Sequence, residues 1–144
     1  MKEQNYSNHS RLVPLFHFGT LPLTLTIIGC SAISLYRHYS AGLGLMLPAI
    51  ALLGGIVLLL LGYFARAFAL IAQDRAIRAE ENLRYFAITG NLLDSRLTNS
   101  QIIALRFAPN NELLDLAHLA AEKNLSSKEI KQAVKNWKGD HHRV

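Results

Sequence analysis

The sequence predicts an all-α membrane protein: a two-helix transmembrane hairpin, the second helix extending into the cytoplasm, followed by a small bundle of three short helices. Three observations predict it. Charged residues make up 17% of the 144, yet they are crowded toward the two ends. No Asp, Glu, Lys or Arg occurs over the 25 residues from Leu12 to Tyr36, nor over the 28 from His38 to Ala65. From residue 94 onward the chain changes to short segments with legible helix caps. The resulting partition is a cytoplasmic tail (1–11), a first span (12–36), an external turn (37–42), a second span continuing as a cytoplasmic helix (43–93) and a cytoplasmic helical domain (94–144).

Each uncharged run is long enough to cross a bilayer, whose core takes about 20 apolar residues at a rise of about 1.5 Å each. A chain this short has no soluble body large enough to bury two such helices. The first run also has features of a secretory leader, and Ile27-Ile28-Gly29-Cys30 resembles a lipoprotein acylation site. Its length and its two prolines, Pro14 and Pro22, favour a permanent helix instead. The single cysteine then reads as a lone buried thiol, with no disulfide framework.

Orientation follows from the flanking cations, because cytoplasmic flanks carry the excess of Lys and Arg. Lys2, Arg11, Arg66, Arg75, Arg78 and Arg84 lie outside the connecting turn, which carries only Arg37. Both termini are therefore expected in the cytoplasm, and the protein in a bacterial inner membrane. Tyr36, Tyr39 and Tyr63 lie near the span ends, where amphipathic rings prefer the interface. Pro22 and Pro48 are each expected to remove a backbone hydrogen bond and bend a helix. Thr26 with Cys30, and Ala51 with Gly55, have the four-residue spacing that lets spans approach closely.

From Tyr63 to Leu93 there is no proline and only one glycine, Gly90, so the second helix is expected to run on beyond the apolar stretch. Ala65, Ala69, Ala72, Ala76, Ala79, Leu83 and Phe86 recur at alternating steps of four and three, the coiled-coil period with a narrow seam. The competing explanation is that alanine is simply the best helix former. Asp74 with Arg78 and Glu80 with Arg84 have acid-before-base spacing, worth a few tenths of a kcal/mol per pair.

In the last third, Thr98 with Gln101 makes a capping box opening a helix to Phe107, closed by Pro109. Asn110 or Asn111 caps the next helix, which runs to about Lys123 with Asn124 as a left-handed terminator. Ser126 with Glu129 makes a second box, Leu125 and Ile130 have staple spacing, and the last helix is expected to reach Lys138 before Gly139. Its apolar side would be Ile130, Ala133, Val134 and Trp137.

Candidate chemistry is sparse. His17, inside the first span, is the one membrane position that invites a ligand or proton-relay role. It lies near the interface and no second membrane histidine or carboxylate matches it, so interfacial hydrogen bonding is the simpler reading. His141 and His142 are adjacent tail residues and make a poor metal site. No nucleophile elbow, phosphate loop or His-Glu-x-x-His is present. The sequence thus predicts a non-enzyme with no cofactor and no metal. Lys128, Lys131, Lys135 and Lys138 follow at helical spacing as a basic face. Together with Ala120, Asn124, Leu125, Ile130 and Val134 they come close to a helix-turn-helix pattern. Such a face can meet phosphates, anionic lipid headgroups or an acidic protein, or only water. Only Gln132 and Asn136 accompany it as base-reading types.

The stretches Asn5 to Phe18 (NYSNHSRLVPLFHF), Phe64 to Phe107 (FARAFALIAQDRAIRAEENLRYFAITGNLLDSRLTNSQIIALRF) and Leu125 to Val144 (LSSKEIKQAVKNWKGDHHRV) resemble the DUF6526 family of uncharacterised proteins. The run from Gln73 to Asn82 is the most specific part. The resemblance implies a two-span bacterial membrane protein of the Bacteroidota, of a kind sometimes labelled a transporter permease; it implies no activity and no functional residues. The function expected is that of an accessory or scaffold protein of the inner membrane. Its partners would be membrane lipid and either a second copy or another membrane protein, docked through the cytoplasmic helices. A membrane-tethered nucleic-acid-binding regulator is the alternative, and a small redox or proton-handling subunit centred on His17 a third.

Overall fold

The structure, a computed structural model, describes residues 4–9 and 12–140. The expectations resting on Lys2, Arg11, His141 and His142 lie outside the described residues. Among those described there are five α-helices and no strand: α1 (Leu21–Ser40), α2 (Met46–Thr89), α3 (Asn99–Leu105), α4 (Asn110–Lys123) and α5 (Ser127–Ala133). The chain divides into two compact units. One runs to residue 69, and the other combines the N-terminal segment with everything from 70 onward.

In the first unit a π-helical stretch, Leu15–Thr20, leads directly into α1. Pro22 explains its place. A proline lacks the amide hydrogen and its ring crowds the carbonyl one turn back, so the preceding turn widens. The Leu21 amide accordingly donates to the Phe16 carbonyl, and the Thr20 hydroxyl donates to the Leu15 carbonyl at 3.3 Å. Pro48 behaves differently from the expectation. It occupies the first turn of α2, where amides have no intrahelical partner to lose.

The helix also runs four residues past Tyr36, through Arg37 and His38. The expected turn at 37–42 is therefore displaced to 41–45. Gly42, at φ +65°, sets the stop: its amide donates to the Tyr39 carbonyl and the Leu43 amide to the His38 carbonyl, at 3.2 and 2.9 Å. That double reach-back satisfies carbonyls that a helix end leaves open, and the left-handed residue it needs is cheapest as glycine.

Helices α1 and α2 approach at Gly55, where an added Cβ would meet Ile28 Cγ1 at 2.8 Å and Ile27 Cγ2 at 3.3 Å. Gly62 faces the Phe16 ring. Thr24 and Ser31 are buried on α1, and Pro48 and Gly55 on α2, while Thr26, Cys30 and Ala51 are exposed. The small-residue contact thus uses Gly55 but not the other three residues expected. Most of the large apolar side chains of both helices, such as Leu23, Ile33, Leu53, Leu58 and Leu61, are exposed. Both helices are long and apolar enough to cross a membrane.

The second unit is built around Leu105, Phe107, Leu113 and Ile130, the largest fully buried side chains. α2 ends at Thr89 rather than Leu93, because Gly90 turns left-handed at φ +73° and its amide reaches back to the Phe86 carbonyl at 2.8 Å. Both capping boxes form: the Gln101 amide donates to the Thr98 hydroxyl and the Glu129 amide to the Ser126 hydroxyl, each reciprocated. Asn124 adopts φ 47°, ψ 49°, the expected left-handed stop of α4. Buried Gln101 then joins α3 to that turn, its Nε2 donating to the Leu125 carbonyl at 2.8 Å.

Three helix limits differ from expectation. α3 stops at Leu105, two residues before Phe107, and Pro109 rather than either asparagine occupies the N-cap of α4. The third difference is the largest: α5 ends at Ala133, five residues short of Lys138. Val134 turns extended, and the Lys135 and Asn136 amides donate to the Glu112 carboxylate at 2.9 and 3.1 Å. The Lys138 amide donates to the Phe107 carbonyl at 2.8 Å. Trp137 meanwhile packs on Phe107 with ring centroids 4.6 Å apart. Burying much of an indole is worth about 2 kcal/mol and charge-assisted bonds add to it, whereas one more helical turn adds only net backbone bonds of about 1 kcal/mol each. The tertiary contacts win.

Candidate functional site

Over residues 70–89 helix α2 has two unlike faces. Ile77, Glu81 and Tyr85 recur every four residues and are only 5–7% exposed, so this column is the one docked on the bundle. The expected seam lies on other faces. Ala65, Ala72, Ala76 and Ala79 are exposed, Ala69 is half-buried, and Leu83 and Phe86 are 68% and 49% exposed. Most of the alanine seam is therefore open in the single chain, and only Ala76 borders the cleft toward the C-terminal segment.

The docked column is held by charge. Arg84 donates from Nη1 to the Glu81 carboxylate at 2.8 Å, from Nε to the Asn110 side-chain oxygen at 2.7 Å and from Nη2 to the Ala108 carbonyl at 2.7 Å. One guanidinium thus ties the end of α2 to the turn between α3 and α4. The expected Glu80–Arg84 pair is replaced by Glu81–Arg84 at three-residue spacing, because Glu81 shares the buried face and Glu80 does not. Asn110 serves this bond instead of capping α4.

Beside this clamp runs a cleft between α2 and the C-terminal strand of chain, lined among others by Gln73, Glu80, Glu81, Arg106, Lys138 and Asp140. Arg106 lies 4.5 Å over the Phe107 ring, with its Nε 3.0 Å from an Asp140 carboxylate oxygen. The run from Gln73 to Asn82 supplies the helix wall of this cleft, and both signs of charge line it. Among the described residues no group of three His, Cys, Asp or Glu side chains is placed to hold a metal ion.

A third feature joins the chain ends. His9 lies 5.8 Å from both the Phe107 and the Trp137 rings, its Nδ1 meets the Tyr6 carbonyl at 2.6 Å, and the Asp140 amide donates to the Gln4 side chain at 2.8 Å. The N-terminal segment is in this way part of the same unit as the C-terminal helices.

The basic face expected on the last helix does not form as a stripe. Lys128 and Lys131 lie on α5, but Lys135 and Lys138 follow its end and leave the helical register. Lys131 turns toward the aromatic cluster, 5.9 Å from the Phe107 ring centre and 3.4 Å from His9 Nε2. Among the described residues no helix therefore carries all four lysines. His17 is half-buried with its Nδ1 at 2.9 Å from the Val13 carbonyl one turn back, a local hydrogen bond of the kind the simpler reading expects.

Surface carboxylates are tuned by the caps and loops. Asp94 is lowered to about 2 by hydrogen bonds from the side chain and amide of Arg96, whose own value is raised by the same contact. Glu112 is lowered chiefly by the Lys135 amide, and Glu129 by the Ser126 hydroxyl and amide.

Sequence reasoning did not find the Arg84 clamp, the Arg106–Asp140 pair, the Glu112 cap of the tail or the His9 contact. For the first there was a usable signal: Ile77 and Tyr85 flank Glu81 at four residues on either side, which places the carboxylate on a buried column. The other three join residues more than 20 apart in the chain, and no local pattern marks them.

No curated protein and no solved structure matches the chain. The model of DUF6526, a family of unknown function, matches residues 1–144, and the chain therefore belongs to that family.

Proposed function

We propose that this protein is a small accessory or scaffold protein of a bacterial inner membrane, anchored by a two-helix hairpin and docking a protein through the part of α2 beyond the apolar stretch. The observation that carries the docking role is the open face of α2. Leu83, Phe86 and the alanines that precede them are exposed, although the opposite column of the same helix is buried and ion-paired. A soluble surface that keeps contiguous apolar side chains in water marks an interaction site. The buried Glu81–Arg84 pair and its bonds to Asn110 and the Ala108 carbonyl hold that face in place, which is what a docking platform needs.

Several features support the anchor. The side chains of α1 and the first half of α2 are apolar and exposed, opposite to what a core helix of a soluble protein would have. The N-terminal segment and the C-terminal helices share one compact unit, which an even number of crossings allows and an odd number forbids. The cationic flanks favour the cytoplasm for that side.

Cross-linking in native membranes followed by native mass spectrometry of detergent-extracted protein tests the reading. The expected result is a discrete complex, homomeric or with another membrane protein, that crosslinks through α2. A strictly monomeric species with no stoichiometric partner overturns it.

A further inference from the structure

We propose that the partner of the open α2 face is a second copy of this chain, packed in parallel, with Arg75 of each copy paired to Glu80 of the other. The inference rests on the docking role above and names its occupant.

The argument starts from register. With Ala72, Ala76, Ala79, Leu83 and Phe86 at the two apolar positions of the heptad, Arg75 and Glu80 fall on the positions flanking the seam on opposite sides. In a parallel pair the flanking residue of one helix meets the flanking residue five places on in its partner, and 75 and 80 are five places apart. Two-fold symmetry makes the contact twice. In an antiparallel pair each flank meets its own kind, and these two residues never meet. The remaining flanking positions in this stretch, Gln73, Asn82 and Ala87, are neutral, so the parallel register brings no like charges together.

Three observations agree with this arrangement. Arg75 and Glu80 are both exposed, and among the described residues neither is in an ion pair of its own chain, unlike neighbouring Glu81 and Arg84. The seam residues are exposed while Ile77, Glu81 and Tyr85, on the other side of the helix, already carry the bundle; Ala76 and Glu80 border the cleft toward Lys138 and Asp140 yet stay exposed, so a second helix meets the seam beside that cleft. The alanines let helix axes come within the lower end of the usual packing range of about 8–10 Å, which brings the flanking charges within reach of each other. Two copies inserted in one membrane with the same orientation are parallel by necessity.

The test uses full-length protein in lipid nanodiscs, with Cys30→Ser as the background. Ala79→Cys, at a seam position, is expected to form an intermolecular disulfide under mild oxidation, because symmetric seam positions face themselves across a parallel two-fold axis. Arg78→Cys, off the seam, is expected not to. Arg75→Glu and Glu80→Arg are each expected to weaken dimerisation about 10-fold, since two exposed pairs change from attraction to repulsion. The double variant, or the two single variants mixed, restores it. That rescue separates a lost contact from a misfolded chain.

Equal crosslinking at 78 and 79, or a double variant no better than the singles, overturns the parallel register. A monomeric wild type that instead holds another membrane protein in stoichiometric amount overturns the homodimer and leaves the docking role standing. A monomer without any partner overturns both.

Discussion

Replacing Arg84 with methionine keeps the aliphatic stem of the side chain but removes the guanidinium that joins Glu81, Asn110 and the Ala108 carbonyl. The side chains of Arg84 and Glu81 are 13% and 6% exposed, so the substitution leaves a carboxylate in the interior without its cation. Breaking a buried pair from one side costs about 3–5 kcal/mol, and we take the lower end because part of the guanidinium reaches solvent. Replacing both partners, as in Glu81→Gln with Arg84→Met, removes the stranded charge and is expected to cost only about 1–2 kcal/mol. Trp137 is the only tryptophan of the chain and packs on Phe107, so its fluorescence reports on this unit alone. In a urea titration of the full-length protein in detergent, at a slope of about 1.5 kcal/mol per molar, the single variant shifts the midpoint down by about 2 M and the double variant by about 0.7–1.3 M. An unchanged midpoint in Arg84→Met, or a double variant as weak as the single, would refute the view that a buried ion pair docks α2 on the bundle.

Three further outcomes follow from local geometry. Gly55→Leu drives a side chain into Ile28, where even a Cβ would sit at 2.8 Å, and is expected to lower the aggregation temperature in detergent by several degrees. Gly54→Leu, which meets nothing within 4 Å, leaves it unchanged. Asn124→Val places a β-branched residue at φ 47° and should cost about 1–2 kcal/mol by the Trp137 titration, whereas Asn124→Gly stays close to wild type. Asp94, Glu112 and Glu129 all have folded values below their ordinary ones, so the stability they contribute is present at neutral pH and is lost as pH falls through the folded values. For Asp94 that window runs from 3.8 down to about 2. Acid titration of Trp137 fluorescence is expected to show a shallower loss in a variant carrying Asp94→Asn, Glu112→Gln and Glu129→Gln; an unchanged slope would contradict the sign.

The sequence by itself determined what is local. Two long uncharged runs dictate two long apolar helices, since nothing in them offers the backbone another way to satisfy its polar groups away from water. Thr98, Ser126 and Asn124 announce their caps and stop because each acts on amides or carbonyls within a turn of itself. The alternating four-three spacing on α2 fixed which residues share a face, but not which face the bundle would use. That choice needed Arg84 to find Asn110 and the Ala108 carbonyl, partners 26 and 24 residues away. The end of the last helix was decided in the same way: its pattern continues to Lys138, yet Glu112 and Phe107 draw its final amides out of the helix. Local propensity changes by tenths of a kcal/mol per residue, and burial of an aromatic ring or a charged pair by several times that. Tertiary structure therefore decided these two points.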